Sequence, residues 1–296
     1  MTRVIAIGEC MVELSAAGPG LLRRRFAGDA YNTAVYLKRV RPRIDVSFLT
    51  VTGDDPLSHE MRAAWAAEGV RDDLAFTDPA RRPALYLIET DAAGDRRFHY
   101  WRGESAARQW FQKLKAQGPA ALETADLVYV SGISFAILAP AERTEAQAFL
   151  AGLKGRTTIA FDPNLRPALW DRPQAAVATF EAFAGIADIV LPSRQDMDSF
   201  YGPASSHEHL DRIARLGGRE VVLTCEGDDA LVHDRGQNHA LTPPRATVVD
   251  TSGGGDSFNG AYLAARLTGA DPVQAAREGL ALAAKVVEQP GALIDP

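Results

Sequence analysis

Cysteine is nearly missing from this chain: 296 residues carry only Cys10 and Cys225, far apart in sequence. A disulfide framework or a cysteine-based zinc site needs more thiols or closer spacing, so neither organises the fold. Such sparse usage fits reduced, mostly buried thiols in a cytosolic protein. Long hydrophobic runs are missing too. The N-terminal Val4-Ile5-Ala6-Ile7 stops at Gly8-Glu9, too short for a signal h-region or a membrane span. The expectation is a soluble, cytoplasmic protein with no membrane partner. Positive charge is not in excess: 32 Lys+Arg face 38 Asp+Glu, a formal net charge of −6. With no basic tail or Lys/Arg stripe, a nucleic-acid partner is not expected. The histidines (His59, His99, His207, His209, His233, His239) show no metal-ligand spacing beyond His207-x-His209, which reads as a solvated pair ahead of a helix. Two nucleotide fingerprints are also absent. There is no Gly-x-x-x-x-Gly-Lys-[Ser/Thr], and the first strand leads into Gly8-Glu9-Cys10 instead of Gly-x-Gly-x-x-Gly.

What the chain does have is a rhythm. Val4–Ile7, Val46–Val51, Leu127–Val130, Thr158–Phe161, Ile189–Leu191 and Val221–Leu223 read as buried strands. Between them lie helical patterns at Asn32–Val40, Pro56–Glu68, Arg143–Leu153, Pro173–Phe183 and His207–Leu216. After Asp256 the chain turns mainly helical, with Phe258–Leu267 and Pro272–Glu288. Strand–helix alternation of this kind implies an α/β fold whose mostly parallel central sheet is covered on both faces. One region breaks the rhythm. Ala84–Thr90 and Arg96–Arg102 flank the turn-rich Asp91-Ala92-Ala93-Gly94-Asp95, which predicts a hairpin. Cys10–Leu14 and Leu22–Phe26 predict a second pair. Together, residues of about 9–26 and 84–102 are expected to form a small β lid on a single domain spanning 1–296.

The strongest chemical signal is Val248-Val249-Asp250-Thr251-Ser252-Gly253-Gly254-Gly255-Asp256-Ser257-Phe258-Asn259-Gly260. An extended apolar pair runs into three glycines, and an Asp then opens an apolar-periodic helix. Glycine is entropically costly, so three in succession point to a backbone that something must approach closely. Unpaired N–H groups at a helix start and the positive end of its dipole suit an anion such as phosphate. The same effects are expected to keep Asp256 ionised, as an acceptor for a hydroxyl proton beside the phosphate site. A bare Gly-Gly-Gly-Asp is more often a flexible loop with an ordinary first-turn carboxylate, and the flanking Asp250-Thr251 and Ser257-Phe258 set this stretch apart.

The stretch resembles the Asp-Thr-x-Gly-Ala-Gly-Asp signature of the PfkB, or ribokinase-like, carbohydrate kinases, departing from it at Gly254, where the family usually has Ala. The resemblance implies a ribokinase-like three-layer α/β fold. It also implies Asp256 as catalytic base, and Gly253, Gly254 and Gly255 with Asp256 as the anion hole of an ATP-dependent enzyme. Phe26-Ala27-Gly28-Asp29-Ala30-Tyr31-Asn32-Thr33-Ala34 is similar to the family's first signature, which implies Gly28, Asp29 and Asn32 as sugar contacts, although Asp29 alone would also serve as a helix cap. Val51-Thr52-Gly53-Asp54-Asp55 resembles a structural turn after the second strand. Thr224-Cys225-Glu226-Gly227 resembles the segment that lies along ATP, so Thr224, Glu226 and Gly227, with Ser193, are implied nucleotide contacts. Ser193 and Asp196 stand where many relatives carry Asn-x-x-Glu, which organises Mg²⁺. The expectation is therefore Mg²⁺ held largely by ATP phosphates and through water, with Asp196 and Asp250 as the nearby carboxylates.

Three further segments narrow the substrate. Leu85–Thr90, Phe98–Arg102 and Asp162-Pro163-Asn164-Leu165-Arg166-Pro167-Ala168-Leu169-Trp170 are similar to the 2-keto-3-deoxygluconate kinases of that family. Arginine forks bind carboxylates and tyrosine hydroxyls donate to a keto oxygen, which suits a sugar acid. Tyr86, Tyr100 and Arg102 alternate onto one face of the predicted hairpin, and Asn164 and Arg166 follow a strand end, where open α/β sheets bind ligands. Taken singly, Tyr86, Tyr100 and Trp101 read better as packing aromatics, and Arg102 as a solvated rim charge. The rivals are a fructokinase- or ribokinase-like enzyme of a neutral sugar and a non-catalytic regulator that binds a sugar acid. The resemblance also implies a homo-oligomer joined through the lid.

Overall fold

The computed structural model describes residues 2–90 and 96–295, so the turn expected at Asp91–Asp95 lies outside the described residues. In chain order the strands are β1 (Arg3–Ile7), β2 (Met11–Gly18), β3 (Leu21–Ala27), β4 (Asp45–Thr52), β5 (Ala75–Thr77), β6 (Leu85–Thr90), β7 (Arg96–Trp101), β8 (Leu127–Ser131), β9 (Thr158–Asp162), β10 (Ile189–Val190), β11 (Glu220–Leu223), β12 (Ala230–Asp234) and β13 (Gln237–Leu241). Nine of them form one sheet in the order β13-β12-β11-β10-β9-β8-β1-β4-β5. From β11 to β5 every pairing is parallel, and β12 and β13 add an antiparallel hairpin at one edge. The strands read as near-continuous apolar runs because both faces are covered. Val4, Ala6, Val46, Phe48 and Tyr129 point into one core, and Ile5, Ile7, Leu49, Val51, Val128 and Val130 into the other.

The helices begin where the chain supplies caps. Asp55 accepts from the amides of Leu57 and Ser58 ahead of Pro56–Ala67, and Asp271 from Gln274 ahead of Pro272–Val287. Ser205 and Glu208 form a capping box on Ser206–Arg215. Within that last helix His209 corrects the expectation of a solvated pair. It is fully buried, with Nε2 2.8 Å from Asp198 Oδ1. Three strands, β5, β12 and β13, were not anticipated. Gln237, Asn238 and His239 make most of β13 polar on a sheet edge, where one hydrogen-bonded side suffices, and its hairpin with β12 turns through Arg235 and Gly236, both at positive φ. The three-residue β5 is too short to show a period.

The second sheet has four strands in the order β3-β2-β6-β7, with β2 and β6 parallel and the outer pairs antiparallel. It leaves the large sheet through Gly8–Cys10 at the carboxyl end of β1. In the large sheet the strand order reverses between β1 and β8, and the loops leaving β1, β8 and β9 part there. Such a reversal opens the crevice where α/β sheets hold ligands. No helix among the described residues is long and apolar enough to cross a membrane.

Candidate active site

The glycine turn ends in the helix Gly254–Leu267, with Gly253 as its N-cap in the left-handed region at φ 75°. A Cβ on Gly253 would lie 2.2 Å from the Ala292 carbonyl oxygen, so backbone conformation and space both require glycine. A Cβ on Gly254 would meet only Val287 Cγ1, at 3.0 Å, and one on Gly255 would face open space. The amides of Gly255 and Asp256 have no acceptor among the described residues. They form an unclaimed pair of donors at the positive end of a helix, as anion binding requires.

Asp256 sits in the first turn of this helix, half-buried, and Asn32 Nδ2 donates to its Oδ2 over 2.8 Å. Asn32 Oδ1 in turn accepts from the Gly28 amide. Burial, reinforced by the neighbouring Asp29 charge, pushes Asp256 up to about 7, against the opposing pull of Asn32 and Arg166. The expectation that the helix terminus alone keeps it ionised therefore does not hold. Near neutrality Asp256 is divided between both forms, which suits a group that must accept a proton and release it.

Asp29 opens the helix Asp29–Val40, but its carboxylate is not spent on capping. It accepts from Ser131 Oγ, at the end of β8, and from Asn164 Nδ2 at 2.9 Å. Asn164 is held at φ 34° just beyond β9, and its amide donates to Asp162 Oδ1. Asp162 is buried; burial and then Asp196, Asp29 and Asp256 push its carboxyl well above the usual range. Asn259 donates to it at 2.8 Å. Arg166 is exposed and, among the described residues, donates only to the Leu165 carbonyl, with its charge felt at Asp256. Asp29, Asn32, Asn164, Arg166 and Asp256 thus converge at the strand-order reversal. Ser131, Asp162 and Asn259, assigned no role from sequence, form the shell beneath them.

The small sheet carries Tyr86 and Tyr100, and Arg102 directly follows its last strand. Tyr86 and Tyr100 are cross-strand neighbours with ring centroids 5.7 Å apart. Tyr86 is buried and its hydroxyl donates to Glu13, while Tyr100 is 48% exposed. Arg102 lies 5.6 Å from the Tyr100 ring centroid and pairs with Glu9. Glu9 and Glu13 were missed. Their signal was two acids inside the apolar run Gly8-Glu9-Cys10-Met11-Val12-Glu13-Leu14, where a buried charge demands a partner.

Ser193, Thr224, Glu226 and Gly227 lie apart from that group, at the carboxyl ends of β10 and β11, where Ser193 and Thr224 bridge in parallel. Glu226 and Gly227 turn the chain at positive φ and are exposed. Ser193 caps the helix Arg194–Tyr201 together with Asp196. Asp196 is buried, which pushes its pKa up, and it accepts from the amides of Leu165 and Ser193. Asp250 accepts from the amides of Ser252 and Gly291 and pairs with Arg96 of β7. Burial raises Asp250, but these donors outweigh it and hold the carboxyl below its usual range. Both carboxylates considered for Mg²⁺ are thus engaged by protein donors, and no group of three or more His, Cys, Asp or Glu among the described residues is arranged to hold a metal.

The chain is 38% identical to the 2-dehydro-3-deoxygluconokinase of Dickeya dadantii (strain 3937), over 98% of this chain and 96% of that one. It superposes on the crystal structure of a PfkB protein from Polaromonas sp. JS666 with a TM-score of 0.86 at 25% identity, over 97% and 96% of the two chains. The same fold occurs in a putative ribokinase II from E. coli solved with ATP and Mg²⁺, with a TM-score of 0.84 at 21% identity over 99% and 94% of the chains. The sequence profile of the pfkB carbohydrate kinases matches residues 1–296, and the chain belongs to that family.

Proposed function

We propose that the protein phosphorylates 2-keto-3-deoxygluconate (2-dehydro-3-deoxygluconate) on its 6-hydroxyl with Mg·ATP, giving 2-keto-3-deoxy-6-phosphogluconate and ADP. The observation that carries the reading is Asp256 held by Asn32 beside the unclaimed amides of Gly255 and Asp256 itself. Asp256 takes the proton of the attacking hydroxyl, whose oxygen bonds to the γ-phosphorus as the bond to the β–γ bridging oxygen breaks and ADP leaves. The glycine-turn amides take the charge on the transferred group. Gly28, Asp29, Asn32 and Asn164 hold the hydroxyls, Tyr86 and Tyr100 line the small-sheet side, and Arg102 and Arg166 take the carboxylate. The nucleotide lies along Ser193, Thr224, Glu226 and Gly227, and Mg²⁺ arrives on its phosphates, since Asp196 and Asp250 are already bonded.

In this reading the whole chain works as one kinase unit in the cytoplasm, and the small sheet is its lid. Leu22, Phe98 and Trp101 on that sheet are exposed, which supports pairing with a second copy. The test is a coupled ADP-release assay over sugar acids and neutral sugars. A wild-type kcat/KM at least ten-fold higher on 2-keto-3-deoxygluconate than on fructose or ribose is expected. Equal or better turnover of a neutral sugar transfers the assignment to the fructokinase- or ribokinase-like reading. No turnover of any sugar leaves only a binding protein.

A further inference from the structure

Glu9 follows β1 and is 1% exposed, and nothing in the proposed chemistry touches it. Its Oε2 accepts from Arg102 Nη2 and its Oε1 from Ser105 Oγ, so both oxygens are engaged. A buried ion pair is weak evidence of a purely stabilising role, because apolar side chains fill such a space as well. Arg102 is also incompletely used. A guanidinium carries five N–H donors, and Glu9 takes one. The side chain is 10% exposed, Nε is buried without a partner, and Nη1 bonds to nothing among the described residues. A cation so enclosed, with donors left over, is set to receive an acceptor that the protein does not provide.

We infer that Glu9 is a positioning residue for acid recognition, clamping Arg102 at one nitrogen so that its free donor edge meets the carboxylate of the substrate. This rests on the sugar-acid reading of the site. Arg102 is the first residue beyond β7, and without Glu9 only the Tyr100 ring would hold its plane. Glu9 is itself held rigidly. Its carbonyl oxygen is where a Cβ on Gly28 would lie 2.1 Å away, so the backbone carrying the clamp is packed against the substrate motif. A neutral sugar neither gains from the arrangement nor is excluded by it.

Two substitutions separate reach from charge. Glu9→Asp keeps the charge and withdraws the acceptor by one methylene, whereas Glu9→Gln keeps the reach and an acceptor oxygen but loses the charge. Glu9→Asp should raise KM for 2-keto-3-deoxygluconate roughly 10-fold, about the worth of one charge-assisted hydrogen bond, with kcat and the KM for ATP within about 3-fold. Glu9→Gln should stay within about 3-fold in every constant. In an Arg102→Met background Glu9→Asp should add less than about 2-fold, because the residue to be positioned is gone. The inference is overturned if Glu9→Asp leaves KM unchanged, if Glu9→Gln is equally impaired, or if the Glu9→Asp effect persists undiminished in Arg102→Met. A merely structural role would lower the melting temperature and leave this KM pattern flat. Should Glu9→Asp not accumulate folded, Ser105→Ala, which frees Oε1, must show the same KM rise at constant kcat, and its absence refutes the clamp equally. If wild type shows no preference for the acid over fructose, the sugar-acid reading fails; if that preference stands and the Glu9 pattern is missing, only the clamp fails.

Discussion

Replacing Asp256 by Asn should cut catalysis sharply and stabilise the fold, because both follow from the loss of one buried carboxylate. In the folded protein burial and the Asp29 charge move Asp256 from 3.8 to about 7. The folded state therefore holds this proton more tightly than the unfolded chain. The favourable contribution is fully present below pH ~3.8 and is lost as pH rises through about 7. At about 1.4 kcal/mol per pKa unit, charging Asp256 opposes folding by about 4 kcal/mol at pH 8 but only ~1.6 kcal/mol at pH 5. Solvent reaching the half-buried carboxyl lowers both figures without reversing their order. Asn carries no charge in either state, and its amide oxygen still accepts from Asn32. Urea or thermal unfolding at pH 5, 6.5 and 8 should show Asp256→Asn more stable than wild type, by a margin that grows with pH. Its kcat should fall by roughly 10²–10⁴, and the acid limb of the wild-type kcat/KM profile should sit near 7. Equal or lower stability of the mutant at pH 8 refutes the burial account. Turnover within a few-fold of wild type refutes Asp256 as the base.

The three glycines should answer differently to substitution. Gly253→Ala combines a left-handed backbone with a contact on the Ala292 carbonyl and should cost at least about 1–2 kcal/mol in urea unfolding. Gly254→Ala asks only a methyl of Val287 to yield and should leave the KM for ATP within about 2-fold. At Gly255 a Cβ meets nothing within 4 Å, so Gly255→Val should melt like wild type while losing activity by roughly 10²-fold or more. Arg102→Met should raise KM for the keto acid by roughly 10–150-fold at nearly constant kcat, whereas Arg166→Met should also lower kcat. Steady-state kinetics in which both mutants change only kcat would remove the carboxylate role from both.

What was legible in the sequence follows the range of each interaction. β1, β4, β8, β9 and β11 could be read because burial on both faces writes an apolar run into every strand. The hairpin of β6 and β7 could be read because alternation is a local property, and Tyr86 and Tyr100 did prove to be cross-strand neighbours. β13 could not, because an edge strand needs no apolar face. Nor could the pairings that build the crevice. Asn32 reaches Asp256 across 224 positions and Arg102 reaches Glu9 across 93, and no periodicity spans such separations.

The protonation of Asp256 shows why this matters for chemistry as well as topology. The helix start is a local feature, and by itself it argues for a charged carboxylate. Asp29 belongs to another helix, far from the motif in sequence, and tertiary packing supplies the burial. Both act against the charge and prevail. A motif can therefore name the residue that accepts the proton, while the pH at which it does so is set by residues with no sequence relation to the motif. Glu9 belongs to the same class. It lies outside every signature that names the sugar, yet Arg102, whose donors are otherwise free, is fastened to it. If specificity resides in such fastenings, grafting Arg102 alone onto a neutral-sugar kinase would not confer acid recognition, whereas grafting the pair with Ser105 would.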